Sequence, residues 1–257
     1  MKTNFRCYME NKDLIALPDG VPNNSDVFDK WLDPEKTAVI EIDMHRGHVG
    51  SDSKLTLDVP RARDRLEAHN VFQDACRKIG MPIIHVQHWQ RHGGIDDLNN
   101  KKHNKMANWR AIYYLYVKDN ELMDEHSWEG TKWLDLMTED VPGDYYIRTK
   151  KRLSSFYPTD LEFLLRNLGI ENVILTGTMT CACVLSTAFD AANLDFRVII
   201  PRDIPGGYSK ESEDSALKII ALHLGLVTDS TDLLEEYSAR KNIDLSKNIS
   251  ALKKMMV

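Results

Sequence analysis

Short apolar runs alternate with helix-patterned stretches along most of this chain, and that alternation restricts the fold more than any other feature. The runs lie at 38–42, 82–87, 145–149, 172–176, 197–201 and 226–228. Segments of this length, rich in β-branched residues and separated by helical patterns, are the signature of stacked βαβ units. Their crossover helices bury both faces of a mostly parallel sheet. The expected fold class is therefore α/β, a three-layer α/β/α arrangement around a mostly parallel central sheet. Between the first two runs, Ala62, Leu66, Phe72, Cys76 and Ile79 follow helical spacing after Pro60, and Gly80 closes the helix. Thr159-Asp160-Leu161-Glu162 reads as a capping box before Leu161, Leu164, Leu165 and Leu168, with Gly169 as the stop. A third helix is expected from Thr180 to about Leu194. A fourth, from Ser209 to about Leu224, presents Ala216, Ile219, Ile220 and Leu224 to the core.

The 257 residues, 42% of them hydrophobic, suffice for one sizeable core, and no Pro/Gly/Ser-rich linker divides them, so 1–257 reads as a single domain. Residues 1–36 form a polar, turn-rich N-terminal extension, and 238–257 read as a C-terminal tail. The stretch 89–141 carries four of the five tryptophans and stands where one short connection would do, which marks it as an insertion serving as a lid or as a subunit contact. A net charge of −6 offers no basic field to a phosphate backbone, so nucleic acid is not an expected partner. No apolar run approaches the ~20 residues of a membrane helix, and the start of the chain lacks a secretory apolar segment. No membrane association and a cytoplasmic location are expected. The four cysteines, Cys7, Cys76, Cys181 and Cys183, show neither CxxC nor zinc-finger spacing, which argues for reduced thiols rather than a disulfide framework or structural zinc.

Three polar side chains fall at carboxyl ends of expected strands, the edge where an open α/β sheet binds ligands. Asp43 ends the first run and Lys150 the third, while the fourth breaks at Gly177 and restarts as a helix carrying Cys183. A helix N-terminus lowers a thiol pKa, and the thiolate is the species that attacks a carbonyl carbon. Each residue has a plainer reading: Cys183 as a buried structural thiol, Lys150 as a solvated strand-end cation like Lys151 and Arg152, Asp43 as a loop cap. Cys181 is the competing thiol, read as wall of the site.

Taken in order, Ile42-Asp43-Met44, then Lys150-Lys151-Arg152-Leu153-Ser154-Ser155-Phe156 with Thr159-Asp160-Leu161, then Thr176-Gly177-x-x-Thr180-x-x-Cys183-Val184 with Thr187-Ala188 and Asp190-Ala191, carry a resemblance. The chain resembles the isochorismatase-like cysteine hydrolases, the superfamily of nicotinamidases, N-carbamoylsarcosine amidases and ureidoacrylate or biuret hydrolases, over roughly 37–234. The resemblance implies Cys183 as nucleophile, Asp43 as general base and Lys150 as the cation bridging both. The family's lysine lies four residues before the serine of its Ser-x-Phe element, which selects Lys150. It further implies an oxyanion hole from the backbone amides of Met179 and Cys183, on a turn with a non-proline cis peptide at Thr178-Met179. The activity so implied is hydrolysis of a C–N bond in a small amide, ureido or N-carbamoyl compound through a thioester, releasing ammonia or an amine. No organic cofactor is expected, and a homo-oligomer, dimer or tetramer, is. Isochorismate cleavage is disfavoured, since relatives doing that chemistry lack the cysteine. The alternatives are a nicotinamidase-type enzyme, a metal-dependent hydrolase and a catalytically silent interaction protein.

Five histidines, His45, His48, His85, His88 and His92, fall near the same edge and are the candidate ligands for zinc or iron. Nicotinamidases hold a metal near here with an Asp-x-His pair after the second strand, where this chain has His88-Trp89-Gln90. Hydrogen-bonding or surface histidines are the default reading. Trp89 and Trp109 are expected as pocket walls, with aromatic core as the alternative. Arg46, Arg110 and Arg152 are candidates to clamp a substrate carboxylate, which favours ureido or N-carbamoyl acids over nicotinamide.

Overall fold

The computed structural model describes residues 29–51, 59–92 and 127–255. Six strands, β1 (Thr37–Ile42), β2 (Ile83–His88), β3 (Tyr145–Lys150), β4 (Asn172–Gly177), β5 (Arg197–Pro201) and β6 (Gly225–Thr228), form one sheet in the order β3-β2-β1-β4-β5-β6. Every pairing is parallel. All six strands lie where the sequence predicts them, to within a residue at each end. The helices are α1 (Arg46–Val49), α2 (Pro60–Arg63), α3 (Leu66–Ile79), α4 (Leu161–Asn167), α5 (Leu185–Asn193), α6 (Lys210–His223), α7 (Ser230–Lys241) and α8 (Ser246–Met255).

Strand parity sorts the core into two layers. Ile40, Ile42, Ile84, Val86, Val173, Leu175 and Val198 point to one face and pack against Leu161 and Leu165 of α4, Ala188 of α5, and Leu217 and Ile220 of α6. Val39, Ile83, Ile174 and Ile199 point to the other and meet Phe72 and Cys76 of α3, Leu233 and Tyr237 of α7, and Leu252 of α8. Burial on both faces explains why the central strands read as continuous apolar runs. Each fully buried aliphatic or aromatic side chain contributes about 1.5–3 kcal/mol relative to exposure.

Four details differ from expectation, each for a local reason. The helix after Pro60 is two pieces, α2 and α3, because Arg65 between them leaves helical geometry and turns its guanidinium to Pro205 and Glu213. The capping box at α4 is half formed: Thr159 Oγ1 accepts from the Leu161 amide at 3.1 Å, while Glu162 faces Arg166 instead of reaching back. In α6, capped by Ser209, the buried stripe is Glu213, Ala216, Leu217 and Ile220, so Ile219 is exposed and Leu217 takes its place. The stretch expected as a tail, 238–257, instead holds the end of α7 and the whole of α8. Buried Leu245 and Leu252 seat it on the sheet-covering layer, and Asn248 Nδ2 donates to the Val71 carbonyl at 2.9 Å.

The returning arm of the insertion is laid against the exit of β1. Met137 N–H donates to Met44 O at 2.9 Å, and Arg46 N–H donates to Asp135 O at 2.9 Å. Trp109 and Arg110 lie outside the described residues, as does most of the N-terminal extension. Among the described residues no helix is long and apolar enough to cross a membrane.

The strand order has a functional consequence. From β1 the chain builds outward through β2 to β3 on one side, then crosses to β4 and builds outward on the other. The order reverses between β1 and β4, and at such a switch point the loops leaving neighbouring strands diverge and open a crevice at their carboxyl ends.

Candidate active site

Asp43 and Cys183 leave β1 and β4, the two strands that flank the crevice. Asp43 is wholly buried and sits at φ 58°, a left-handed conformation that aspartate tolerates better than most residues. That turn swings its carboxylate over the sheet edge. Oδ1 accepts from the His88 backbone amide at 2.7 Å and Oδ2 from Lys150 Nζ at 2.6 Å. Lys150 stands on β3, two strands away, a gap of roughly 10 Å at ~4.8 Å per strand. A long side chain is needed to cross it, and the Lys150 stem runs buried over β2 to do so. Its ammonium also reaches Cys183 Sγ at 3.5 Å.

The turn bearing Cys183 begins at Gly177, with φ 98°. A Cβ there would lie 2.1 Å from Ile42 O, so only glycine lets β4 run this close to β1 at its exit. The Thr178-Met179 peptide is cis, as the resemblance implies. A single π-type turn over Thr180–Val184 follows, and α5 continues from it. Within the turn the amides of Thr178 and Thr180 donate to Ile42 O and Gly206 O, and those of Ala182 and Val184 to Met179 O.

Electrostatics corrects one expectation. Cys183 is not held as a thiolate: burial pushes its pKa up to about 12, opposed by the Lys150 charge and reinforced by the adjacent Asp43 carboxylate. Desolvation outweighs the helix terminus here. Burial alone would disfavour the Lys150 ammonium, but the Asp43 charge beside it holds its pKa above the usual lysine value. The resting arrangement is a neutral thiol beside a buried carboxylate–ammonium pair.

The five histidines divide. His45 and His48 gather beside Asp43, their ring centroids 4.3 Å apart, with His88 5.9 Å from His48. Suitable ligand atoms of Asp43, His45 and His48 all lie within 4.8 Å of one another. His45 Nδ1 is 2.8 Å from the Trp133 carbonyl. A carbonyl only accepts, so Nδ1 carries the proton and Nε2 presents a lone pair, buried and without a hydrogen-bond partner among the described residues. Burial pulls the His45 pKa down, which keeps the ring neutral.

His85 is elsewhere, on the α3 face of the sheet. Its Nδ1 meets Glu41 Oε2 at 2.6 Å and its Nε2 meets Asp144 Oδ2 at 3.0 Å. Carboxylates only accept, so both nitrogens carry protons and the ring is an imidazolium with no lone pair for a metal. Burial pulls its pKa down, but the two carboxylates outweigh this and hold it above the ordinary 6.5. Glu41, Gln73, Thr138 and Arg77 complete this network. His92 is exposed and lies edge-on to Trp128.

The other sequence candidates spread out. Half-buried Trp89 lines an open groove of about 630 Å³ with Thr131, Lys132, Asp135 and Arg148. The Arg148 guanidinium lies 5.5 Å from the Trp89 ring centroid. Arg46 opens α1 immediately after His45, half-buried. Arg152 donates to the Lys151 carbonyl at 2.8 Å. Cys181 is more exposed than Cys183. Sequence reasoning missed the His88 amide on Asp43, which no side-chain pattern signals. It also missed Glu41, whose signal was a lone acid inside an otherwise apolar strand.

Comparison with known proteins places this three-layer α/β fold and its buried Asp–Lys–Cys constellation. Residues 37–232 match the isochorismatase domain family, and the chain belongs to that family. It is similar in structure to a cysteine hydrolase from Pseudomonas syringae pv. phaseolicola 1448A, with TM-score 0.65 and 21% identity over 80% of this chain and 94% of that one. N-carbamoylsarcosine amidase from Thermoplasma acidophilum matches with TM-score 0.58 and 22% identity, covering 76% of this chain and 96% of the other. A pyrazinamidase of Pyrococcus horikoshii in complex with zinc matches with TM-score 0.60 and 21% identity, over 76% and 99%.

Proposed function

We propose that this isochorismatase-family hydrolase cleaves the C–N bond of a small amide, ureido or N-carbamoyl compound through a thioester on Cys183. The observation that carries this reading is the buried Lys150 ammonium, hydrogen-bonded to Asp43 at 2.6 Å and to Cys183 Sγ at 3.5 Å. A carboxylate beside a thiol and a shared cation is what proton transfer out of the thiol requires. Asp43 takes the Cys183 proton, Lys150 offsets the charge left on sulfur, and sulfur adds to the carbonyl carbon. The amides of Met179 and Cys183, which the turn brings to the exit of β4, receive the oxyanion. Asp43 then protonates the departing nitrogen, the C–N bond breaks, and a water deprotonated by Asp43 resolves the thioester.

The substrate class follows from charge. Arg46 follows Asp43 by three residues and Arg152 follows Lys150 by two, on the segments that leave a site where Asp43 and Lys150 already pair with each other. A guanidinium holds a carboxylate bidentately, so the preferred substrate is a ureido or N-carbamoyl acid. The similarity to N-carbamoylsarcosine amidase supports the same reading. The test is ammonia release across a panel of amides, ureido acids and nicotinamide. Ureido or N-carbamoyl acids are expected to exceed nicotinamide in kcat/KM, and Arg46→Ala or Arg152→Ala to raise KM more than they lower kcat. Efficient nicotinamide hydrolysis with no turnover of the ureido compounds would overturn this assignment.

A second reading rests on the histidines. Asp43, His45 and His48 offer one oxygen and two imidazole nitrogens, and His45 is oriented through its Nδ1–H on a backbone carbonyl, as metal-ligating histidines usually are. This donor set fits a borderline divalent ion such as zinc, and the similar pyrazinamidase is zinc-bound. A bound ion there would supply Lewis-acid polarisation of a substrate atom. Cobalt(II) titration followed by ligand-field absorption reads occupancy independently of turnover. Stoichiometric binding in the wild type and its loss in His45→Gln support the site; the same spectrum in His45→Gln refutes it.

A further inference from the structure

Glu213, on α6, is 3% exposed and collects four hydrogen bonds from three donor residues. Oε1 accepts from the Gly207 amide at 2.8 Å and from Arg61 Nε at 2.9 Å; Oε2 accepts from Arg61 Nη2 at 3.0 Å and Arg65 Nη2 at 3.1 Å. A carboxylate withdrawn from water is costly unless paired this fully. Its partners converge on one short strap, Pro205-Gly206-Gly207, since Arg65 also donates to the Pro205 carbonyl.

That strap is the outer wall of the turn carrying Met179 and Cys183. The Gly206 amide donates to Gly177 O at 3.0 Å, and Gly206 O accepts from Thr180 N at 3.1 Å. An ideal Cβ on Gly207 would lie 3.7 Å from Thr180 N and 3.8 Å from Met179 Cβ, so no more than a methyl-sized space separates the strap from the turn at this point. Behind it, a Cβ on Gly206 would lie 2.6 Å from the Ala62 backbone, which leaves the strap no room to retreat. On the inner side, Thr178 N–H donates to Ile42 O at 2.9 Å. The turn is thus clamped between β1 and a strap that Glu213 anchors.

We propose that Glu213 is a positioning residue, setting through the Gly207 amide and the 205–207 strap the placement of the Met179 and Cys183 amides that receive the oxyanion. This rests on the cysteine-hydrolase reading above. A displaced oxyanion donor slows the steps that form a tetrahedral intermediate, whereas alkylation of Cys183 by iodoacetamide forms no oxyanion and does not depend on it.

The experiment compares Glu213→Gln and Glu213→Ala with the wild type, below the melting temperature of each, by kcat, KM and the iodoacetamide rate at Cys183. Glu213→Ala is expected to lower kcat by about 10- to 100-fold, with KM and the alkylation rate each changed by less than about threefold. Glu213→Gln keeps an acceptor for Gly207 but loses the charge facing two arginines, so its kcat falls less; it carries the test if the alanine variant does not fold. A lowered melting temperature with unchanged kcat makes Glu213 merely structural and overturns the proposal. So does a parallel fall in kcat and alkylation, which would mean general damage to the site. Cys183→Ala separates the two levels: activity surviving it sinks the hydrolase reading, whereas activity lost there but untouched in both Glu213 variants sinks this proposal alone.

Discussion

Cys183→Ala is expected to lose turnover by on the order of 10⁴-fold or more, with the fold retained. On the proposed mechanism the sulfur carries the thioester, so its removal would delete the route rather than slow it. Cys183→Ser is expected to fare no better, because an environment that holds a thiol pKa up to about 12 leaves a serine hydroxyl still less able to ionise. Cys181→Ala should keep most of its activity, being outside the hydrogen-bonded set around Asp43 and Lys150. The raised thiol pKa also has a signed consequence. In the free enzyme the thiolate fraction at neutral pH is small and grows as pH rises, so iodoacetamide inactivation should accelerate with pH well beyond neutrality. A rate that levels off below pH 7 would indicate a preformed thiolate and contradict the neutral resting state.

Asp43→Asn and Lys150→Ala are each expected to cost on the order of a hundredfold or more in kcat, and their effects should not add, because in the proposed mechanism the two groups handle the proton and its charge as a unit. Both also break a buried ion pair. Lys150→Ala strands the Asp43 carboxylate and Asp43→Asn strands the Lys150 ammonium, each at 0–1% exposure. Such a loss destabilises by about 3–5 kcal/mol. Domains of this kind hold about 5–15 kcal/mol in reserve, so the variants should fold at moderate temperature with lowered melting points. Kinetics must therefore be read with a parallel melting curve. Lys151→Ala is the control: Lys151 Nζ donates to the Trp89 carbonyl and not to Asp43 or Cys183. Full activity there beside loss in Lys150→Ala fixes the register, and the reverse pattern rejects it.

The sheet was legible because its central strands are buried on both faces, and that burial writes itself into sequence as runs such as Val39-Ile40-Glu41-Ile42. Strand ends were legible too, which located Asp43, Lys150 and the turn before Cys183. What did not read through depends on long-range partners. The neutral state of Cys183 comes from burial beside a carboxylate 140 residues away in sequence, which no local pattern reports. His85 looked like one of five histidines at an edge, yet strand parity sends it to the opposite face, where Glu41 and Asp144 claim both nitrogens. α8 was missed because its core-packing apolar residues, Ile249 and Leu252, are sparse among lysines and polar side chains. Glu213 sat in a charged stretch, Lys210-Glu211-Ser212-Glu213-Asp214, where nothing distinguishes the buried acid from its solvated neighbours except its place on the helix stripe with Ala216, Leu217 and Ile220.

The central claim is that the acyl group passes through sulfur at position 183. The most direct measurement is mass spectrometry of enzyme acid-quenched during turnover of the best ureido or amide substrate, followed by peptide mapping. The account predicts a mass increase equal to the acyl fragment on the peptide containing Cys183, localised by fragmentation to that residue, and absent from Cys183→Ala. Wild-type turnover that persists in Cys183→Ala, or an acyl adduct that maps to Cys181 instead, would contradict it.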